Sequence, residues 1–257
     1  MHRTLALLAT CLLAATAAES AARPSPVIAA ASDLQFALDE ILTQFKRDTG
    51  VAVRVTYGSS GNFARQIEQG APFELFLSAD ESFVFALAER KLTRDRGALY
   101  AVGRIVLFTP AGSPLTPDPR LEHLARRLAD GSSGRIAIAN PEHAPYGRAA
   151  QQALHSLGLW AALQPHVVLG ENVSQAAQFA TSGDAAAGLF AYSLTFSPAV
   201  ASRGRFALVP DAAHAPLRQR MALVKGAGED ARAFYRHLQG PAARGIFARY
   251  GFSLPGP

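Results

Sequence analysis

Sulfur is scarce in this sequence. Its 257 residues include one cysteine and two methionines, and the cysteine, Cys11, lies close to the N-terminus. If the N-terminal segment is removed during export, no cysteine is left in the chain. Disulfide bonds, thiolate metal sites and cysteine catalysis are then excluded.

Long apolar runs are also absent beyond the N-terminus. No segment after residue 22 approaches the run of about 18 apolar residues that a membrane-spanning helix requires. Residues 1–22, MHRTLALLATCLLAATAAESAA, combine a basic start, an apolar core over residues 5–15 and a tail of small residues. This pattern predicts a secretory signal peptide, a periplasmic mature protein and no membrane insertion after cleavage.

Two other interpretations of residues 1–22 stay open. One is a buried N-terminal helix of the folded protein. The other is a lipoprotein leader with Cys11 as the attachment residue, although Leu-Ala-Thr-Cys so close to Met1 is a poor match to such leaders.

The chain is basic without a basic cluster. It has 25 Lys and Arg against 20 Asp and Glu, a formal net charge of +5. No run of basic residues is longer than the pair Arg126 and Arg127, and aromatic residues do not interleave with them. Because nucleic-acid surfaces combine both features, we expect no nucleic-acid partner. Mild attraction of small anions is the expected effect of the charge.

Strand-like and helix-like segments alternate along the chain. Residues 26–31 form a short, all-apolar run of the kind found in buried parallel strands, and residues 32–50 place apolar side chains on one helical face. The same order recurs through the middle of the chain, and two helical segments complete it. About eight or nine strand patterns are too many for one compact open sheet of this length.

We therefore predict an α/β fold of two lobes, each an open, mostly parallel sheet flanked by helices, with the ligand in the cleft between them. The first lobe comprises residues 23–103 and 211–257, and the second comprises residues 104–210. A barrel remains the alternative, although it requires about eight regular β-α units and no C-terminal helical pair.

Four strand-to-helix turns carry groups suited to an anion. In residues 55–70, VTYGSSGNFARQIEQG, a strand pattern stops at Gly-Ser-Ser-Gly and an amphipathic helix begins at once. Helix N-termini present unpaired N–H groups and the positive end of the helix dipole, and ligands of open α/β sheets bind where strands end. Capping chemistry explains each turn equally well, since Ser and Asn are ordinary N-caps. The four turns are residues 31–33, 58–61, 140–147 and 171–174.

The order of segments resembles the periplasmic molybdate-binding proteins of ABC importers. The resemblance runs from residue 26 to residue 252, and its most specific parts are the Gly-Ser-Ser-Gly block that continues to Ser-Ala-Asp, and Asn-Pro-Glu-His-x-Pro. The segments are AAASDLQFALDEILTQFKRDTG, GSSGNFARQIEQGAPFELFLSADE, YAVGRIVLFTP, NPEHAPYGRAAQQAL, GENVSQAAQFATSGDAAAGLFAYS and GPAARGIFARYGF.

This resemblance implies a type II periplasmic-binding-protein fold that closes on molybdate or tungstate and presents it to a membrane permease. It implies a monomer with no cofactor and no enzymatic activity. Family members hold the oxygen atoms of the dianion with neutral donors and helix N-termini, so molybdenum would be bound as molybdate. The matching positions are Ser32, Ser60, Tyr146 and Val173, with Ser59 and Asn172 beside them.

Two positions depart from the family pattern. Asp33 stands where some relatives have a donating Asn, and an ionised carboxylate cannot donate. We expect only its backbone N–H to contribute, with the side chain facing away near the helix N-terminus, where negative charge is favoured. Tyr192 is one place away from the tyrosine that other relatives use, so it ranks below Tyr146 as a candidate.

Functions of other classes remain as alternatives. Ser59 and Ser60 do not stand in a G-x-S-x-G elbow, and His143 lacks the second histidine of an H-E-x-x-H pair, so a hydrolase on the same fold is the less favoured one. A binding protein for sulfate, phosphate or ferric iron is the more favoured alternative. Phosphate carries a proton near neutral pH, which needs an acceptor such as Asp33. A partner-recognition module without a small ligand is the last alternative.

Overall fold

Two five-stranded sheets, each flanked by helices, form the two lobes. The structure is a computed structural model in which residues 24–256 are described. The predicted signal peptide, residues 1–22, and Cys11 within it lie outside the described residues. Among the described helices, none has both the length and the apolar character needed to cross a membrane.

Ten strands are present in residues 24–256. Their bounds are β1 (Val27–Ala31), β2 (Arg54–Gly58), β3 (Leu75–Ser78), β4 (Ala98–Gly103), β5 (Ile105–Pro110), β6 (Ile136–Ala139), β7 (Val167–Gly170), β8 (Ala187–Ala191), β9 (Gly204–Leu208) and β10 (Leu217–Leu223). The first sheet has the order β2-β1-β3-β10-β4, and the second has the order β7-β6-β8-β5-β9.

Helices connect most of these strands. The α-helices are α1 (Gln35–Thr49), α2 (Ser60–Glu68), α3 (Glu81–Glu89), α4 (Glu122–Ala129), α5 (Pro145–Ser156), α6 (Trp160–Leu163), α7 (Val173–Ser182), α8 (Pro198–Ala201), α9 (Glu229–Gln239) and α10 (Pro241–Arg249). Short 3-10 helices occupy Ser32–Leu34, Gln164–His166, Tyr192–Phe196 and Asp211–Ala213.

Apolar faces on both sides of the first sheet are covered by helices. Phe45 of α1, Phe234 of α9 and Phe247 of α10 share one buried cluster, while Phe63 of α2 and Val84 of α3 belong to another. The second lobe has its own cluster, in which α5 and α7 cover the sheet. Burying a sheet on both faces explains why its central strands read as continuous apolar runs.

Each sheet has fewer parallel strand pairs than the mostly parallel sheets that the sequence predicts. Each contains two parallel and two antiparallel strand pairs. The antiparallel pairs involve β10 in the first sheet and β5 in the second, the strands by which the chain enters each sheet from the other. Such strands arrive without a crossover helix, so nothing requires them to run parallel to their neighbours.

Strands β4 and β9 were not predicted separately. Only Arg104 separates β4 from β5, so residues 98–110 look like one largely apolar segment although the chain passes from the first sheet to the second within it. Strand β9 pairs with β5 at the edge of the second sheet, and its side chains are half-buried or exposed. It therefore lacks the apolar pattern that marks a buried strand.

The parallel strands place their carboxyl ends along one edge of each sheet. In the first lobe β1, β2 and β3 end at Ala31, Gly58 and Ser78. In the second lobe β6, β7 and β8 end in the same way. These two edges face each other, because the chain that follows β1 is hydrogen-bonded to the chain that follows β7 and β8.

Two glycines inside helices provide a matched test of this packing. A Cβ added at Gly147 in α5 would lie 2.1 Å from the carbonyl oxygen of Ala139, whereas nothing lies within 4 Å of a Cβ at Gly245 in α10. We expect Gly147→Ala to lower the free energy of unfolding by about 1–3 kcal/mol through overpacking. Gly245→Ala should raise it by up to about 1 kcal/mol, because alanine favours the helix.

Urea denaturation of both variants measures this difference. Equal or reversed effects would show that α5 does not approach β6 as closely as the structure has it.

Candidate anion-binding site

One small cavity between the lobes is lined by residues from all four turns. The space around it that no atom fills, including space open to solvent, is about 190 Å³. Ser60 and Val173 are the first residues of α2 and α7, Tyr146 is the second residue of α5, and Ser32 begins the 3-10 helix before α1. The remaining lining residues are Ala31, Asp33, Gly58, Ser59, Ala79, Ala144 and Pro145.

Backbone N–H groups are the principal donors at this cavity. Ser60, Tyr146 and Val173 stand in the first turns of their helices, where an N–H has no acceptor within its own helix. The positive ends of three helix dipoles therefore meet around one space. Lysine, arginine and histidine do not occur among the residues that line it. The arrangement can hold an anion with neutral groups.

The Ser60 hydroxyl is placed to donate into the cavity. Its Oγ accepts a hydrogen bond from the N–H of Ala79 at 3.0 Å, which leaves the hydroxyl proton available. Ser32 differs, because its hydroxyl donates to Oδ1 of Asn172 at 3.1 Å. An anion would have to draw the Ser32 hydroxyl away from that acceptor. The two serines are therefore equivalent in sequence but not in their present bonding.

Ser59 joins the lobes. Its Oγ lies 2.6 Å from the carbonyl oxygen of His143 and 2.8 Å from Nδ1 of the same residue. Because a hydroxyl has one proton, Ser59 donates to the carbonyl and accepts from Nδ1–H. The same carbonyl also accepts the N–H of Gly61 at 2.9 Å. His143 of the second lobe thus anchors the first turn of α2, directly beside Ser60.

Asn172 is the N-cap of α7. Its Oδ1 accepts from the backbone N–H groups of Ser174 and Gln175 at 3.0 and 3.1 Å, as well as from Ser32. Ser174 returns a bond across the lobes, since its hydroxyl donates to the carbonyl oxygen of Ser32 at 3.0 Å. Asn172 therefore orients the start of α7 and does not line the cavity itself.

Asp33 occupies a different position from the one expected. Its side chain does not face away near the helix N-terminus but is buried between the lobes, with 1% of the residue exposed. Its Oδ2 accepts from the Tyr146 hydroxyl at 2.9 Å and from Nε2 of Gln219 at 2.6 Å. The expected orientation was wrong because the two partners come from α5 and β10, far away in the sequence.

The network around Asp33 continues into the first lobe. Nε2 of Gln219 also donates to the Tyr146 hydroxyl at 3.0 Å, and Oε1 of Gln219 accepts from the Tyr100 hydroxyl at 2.8 Å. A Cβ at Gly103 would lie 2.1 Å from the Tyr146 hydroxyl, so the absence of a side chain at Gly103 makes room for the network. Burial and then the negative charge of Asp33 raise the pKa of Tyr146 and of Tyr100 well above the usual value. Both hydroxyls therefore remain donors.

One oxygen of Asp33 is left without a partner. Oδ1 is buried and makes no hydrogen bond within the described residues. Burial raises the pKa of the Asp33 carboxyl from its ordinary 3.8 to about 6, although the hydrogen bonds from Gln219, from Tyr146 and from the backbone N–H of Asp33 itself lower it. When ionised, this group would repel a further negative charge about 4 Å away by roughly 4 kcal/mol at an effective dielectric constant near 20.

Tyr192 lies outside the cavity. Its ring packs against Phe196 and Phe206, with ring centroids 4.9 and 5.6 Å apart, and its N–H donates to the carbonyl oxygen of Arg104. Ser193, the next residue, reaches the site instead, because its hydroxyl donates to the carbonyl oxygen of Asp33 at 2.7 Å. The structure brings the other predicted residues together around the cavity, and their contact with a ligand stays a prediction.

Sequence reasoning missed two residues of this site. Gln219 is completely buried in β10, where Arg218 before it is exposed and Leu217 is buried, so its inward position was recoverable from the alternating pattern. His143 was considered in the sequence only as an incomplete H-E-x-x-H pair, yet it is 7% exposed and makes the contacts with Ser59 and Gly61. The sequence contains the motif Asn-Pro-Glu-His, but nothing in it indicates that this motif contacts the start of α2.

A larger, open groove lies beside this site and is distinct from it. A groove with about 1070 Å³ of empty space, open to solvent, lies beside the cavity and shares Ser32 with it. Its other walls include the amide side chains of Gln35, Gln175 and Gln178, together with Phe36 and Leu194. The converging N–H groups belong to the smaller cavity, and so does the anion chemistry.

The Asp33 carboxyl predicts a pH-dependent stability. The pKa of this carboxyl is about 6 in the folded protein, against an ordinary value of 3.8, so the folded state keeps the proton to higher pH than the unfolded state does. The free energy of unfolding should therefore fall as the pH rises from about 4 to about 6, by about 3 kcal/mol for a difference of about two pH units. Asp33→Asn should lack this contribution, as measured by urea denaturation without ligand.

The exposed carboxylate Asp184, which contacts Ser182, provides the control. Asp184→Asn should retain the wild-type pH dependence. Parallel curves for Asp33→Asn and the wild type would mean that Asp33 ionises normally in the folded protein.

The chain has clear relatives among proteins of known function. The family model of bacterial extracellular solute-binding proteins matches residues 26–253. Molybdate-binding protein ModA of Escherichia coli is 33% identical over 228 residues, 88% of this chain and 87% of that protein. ModA of Rhodobacter capsulatus is 36% identical over 235 residues, 90% and 89% of the two chains.

A solved structure agrees with these relatives. The periplasmic molybdate-binding protein of Azotobacter vinelandii superimposes with a TM-score of 0.81 at 32% identity, covering 91% of this chain and 100% of that one. The two-lobed α/β fold predicted from the sequence is thereby confirmed. With a family model that spans nearly all of the described residues, the chain belongs to the bacterial extracellular solute-binding proteins.

Proposed function

We propose that this protein captures molybdate, and also tungstate, in the periplasm and delivers it to the membrane permease of an ABC importer. It acts as a monomeric binding protein after export, without a cofactor and without catalysing a reaction. Residues 1–22 supply the export signal. The ligand-binding residues are Ser32, Ser60, Tyr146 and Val173, together with the backbone N–H of Asp33.

The convergence of helix N-termini on one cavity carries this proposal. The N–H groups of Ser60, Tyr146 and Val173 and the Ser60 hydroxyl all border the same space, and no cationic side chain lines it. Such a set of donors matches the oxygens of a tetrahedral anion. Support for molybdate in particular comes from the relatives in Escherichia coli and Rhodobacter capsulatus, whose names state that ligand.

Hydrogen bonds alone are sufficient to hold such an anion. A hydrogen bond to a charged group contributes roughly 1.5–3 kcal/mol net. Six or seven of them, less the cost of bringing the lobes together, reach micromolar affinity or better. Molybdate and tungstate are larger than sulfate but offer the same pattern of acceptors. Selection of these two anions over sulfate therefore rests on the size of the cavity.

Both lobes contribute to the cavity, so a bound anion links them. Ser32 and Ser60 belong to the first lobe, and Tyr146 and Val173 to the second. Cross-lobe bonds at Ser59 and Ser174 surround the same space. In this proposal the permease distinguishes the closed, ligand-bound form from the open form by the relative positions of the two lobe surfaces.

A thermal-shift series tests the ligand class. The probes are molybdate, tungstate, sulfate, phosphate and ferric citrate, each added to the protein without residues 1–22. A ligand present at about 100 times its Kd adds roughly 2.7 kcal/mol of stability. We expect molybdate and tungstate to raise the melting temperature and sulfate and ferric citrate to leave it unchanged. A rise with sulfate or iron alone would retain the fold and reject the proposed ligand.

Removing single hydroxyls tests the site. Ser60→Ala and Ser32→Ala should each weaken molybdate binding by about 1–3 kcal/mol, because each removes a donor to a charged ligand. Isothermal titration calorimetry measures both Kd values. Ser202→Ala serves as the control, since Ser202 is exposed and bonds only locally to Pro198. Wild-type affinity in both cavity variants would place the anion elsewhere.

A further inference from the structure

We propose that the oxyanion enters this site together with one proton, which is held between Oδ1 of Asp33 and one oxygen of the bound anion. The proposal makes Asp33 a specificity-determining residue of the same cavity, and it rests on the proposed function as an oxyanion-binding protein. The proton comes from solvent, no covalent bond is made to the protein, and the anion, the carboxylate and the proton share the site.

The geometry of Asp33 is the first observation. Asp33 lines the cavity, and it is buried with 1% of the residue exposed. The Tyr146 hydroxyl and Nε2 of Gln219 both bond to Oδ2, and the backbone N–H of Asp33 itself also lowers the pKa of the carboxyl. Oδ1 accepts no hydrogen bond from any other described residue. A buried carboxylate oxygen without a hydrogen bond is uncommon and calls for a missing donor.

The surroundings of Asp33 do not neutralise it. Each element packed against the carboxylate contributes a neutral group: Tyr146 from α5, Gln219 from β10, Tyr100 from β4 and Ser193 from the 3-10 helix Tyr192–Phe196. The cavity beyond it is lined without lysine, arginine or histidine. Within the described part of the chain, the carboxylate therefore has no cationic partner to offset its charge.

An ionised carboxylate and a fully ionised oxyanion do not fit side by side here. Both are hydrogen-bond acceptors only, so they have no bond to make with each other, and their charges repel. One proton removes both difficulties, because it creates an O–H···O contact that is strengthened by the remaining charge. Whether the proton is assigned to Asp33 or to the anion, the composition of the site is the same.

The proton affinity of Asp33 supports this assignment. Burial already raises the pKa of the carboxyl to about 6 before an anion is present. A negative charge placed next to it raises the pKa further, so the carboxyl is ready to take up a proton near neutral pH. A site built to exclude protons would instead place a cation or an additional donor at Oδ1.

Calorimetry with sodium molybdate tests the proposal on the protein without residues 1–22. Titrations from about pH 7 to about pH 9, each in two buffers with different heats of ionisation, report both the Kd and the number of protons exchanged. We expect uptake of about one proton per anion, and a Kd that rises about tenfold for each pH unit. Asp33→Asn should show neither effect, because an amide donates its own hydrogen.

Asp184→Asn is the control and should behave as the wild type. A wild-type Kd that does not change with pH, or binding without proton exchange, would overturn the proposal and leave oxyanion binding intact. So would an Asp33→Asn protein, shown to be folded by its melting curve, that still takes up the proton. If the wild type binds neither molybdate nor tungstate at any pH, the proposed function itself fails. The two-buffer result for the wild type decides the question even if the variant does not fold.

Discussion

A negative charge removed from water must be stabilised by hydrogen-bond donors, and in this fold those donors are backbone N–H groups at helix starts. Ser60, Tyr146 and Val173 each begin or nearly begin a helix that follows a parallel strand. Because parallel strands end along one edge, the topology itself collects these groups. The proposed anion site is therefore a consequence of how the sheets are connected, and it uses few specialised side chains.

The same constraint explains the contacts between the lobes. Neither lobe alone supplies enough donors to replace the water around an anion, since Ser60 lies in one lobe and Tyr146 and Val173 in the other. The bonds from Ser59 to His143 and from Ser174 to Ser32 hold the two edges at hydrogen-bonding distance. They attach to the residues next to the donors, so the same turns form both the contacts between the lobes and the walls of the cavity.

The alternation of apolar runs and amphipathic segments was sufficient to predict two α/β lobes, and the turn at Gly-Ser-Ser-Gly was sufficient to predict donors at the start of α2. The parts that could not be predicted depend on contacts between distant residues. Gln219 meets Asp33 across 186 positions of sequence, and no local pattern indicates such a pair. Strand β4 was hidden because Arg104 alone divides it from β5. Local chemistry thus predicted which residues begin helices, while the groups that orient Asp33 required the tertiary structure.

The hydrogen-bond network around Asp33 determines which of its two carboxylate oxygens is left without a partner. Gly103 leaves space for the Tyr146 hydroxyl, Tyr100 fixes the amide of Gln219, and the amide and the Tyr146 hydroxyl both occupy Oδ2. A network that only relieved a buried charge would satisfy both oxygens, because each unpaired polar atom costs stability. Here the side-chain donors Tyr146 and Gln219 both bond to Oδ2, and Oδ1 accepts no hydrogen bond from another described residue. The arrangement is costly for a structural residue, and it is reasonable for a residue whose remaining bond is made with the ligand.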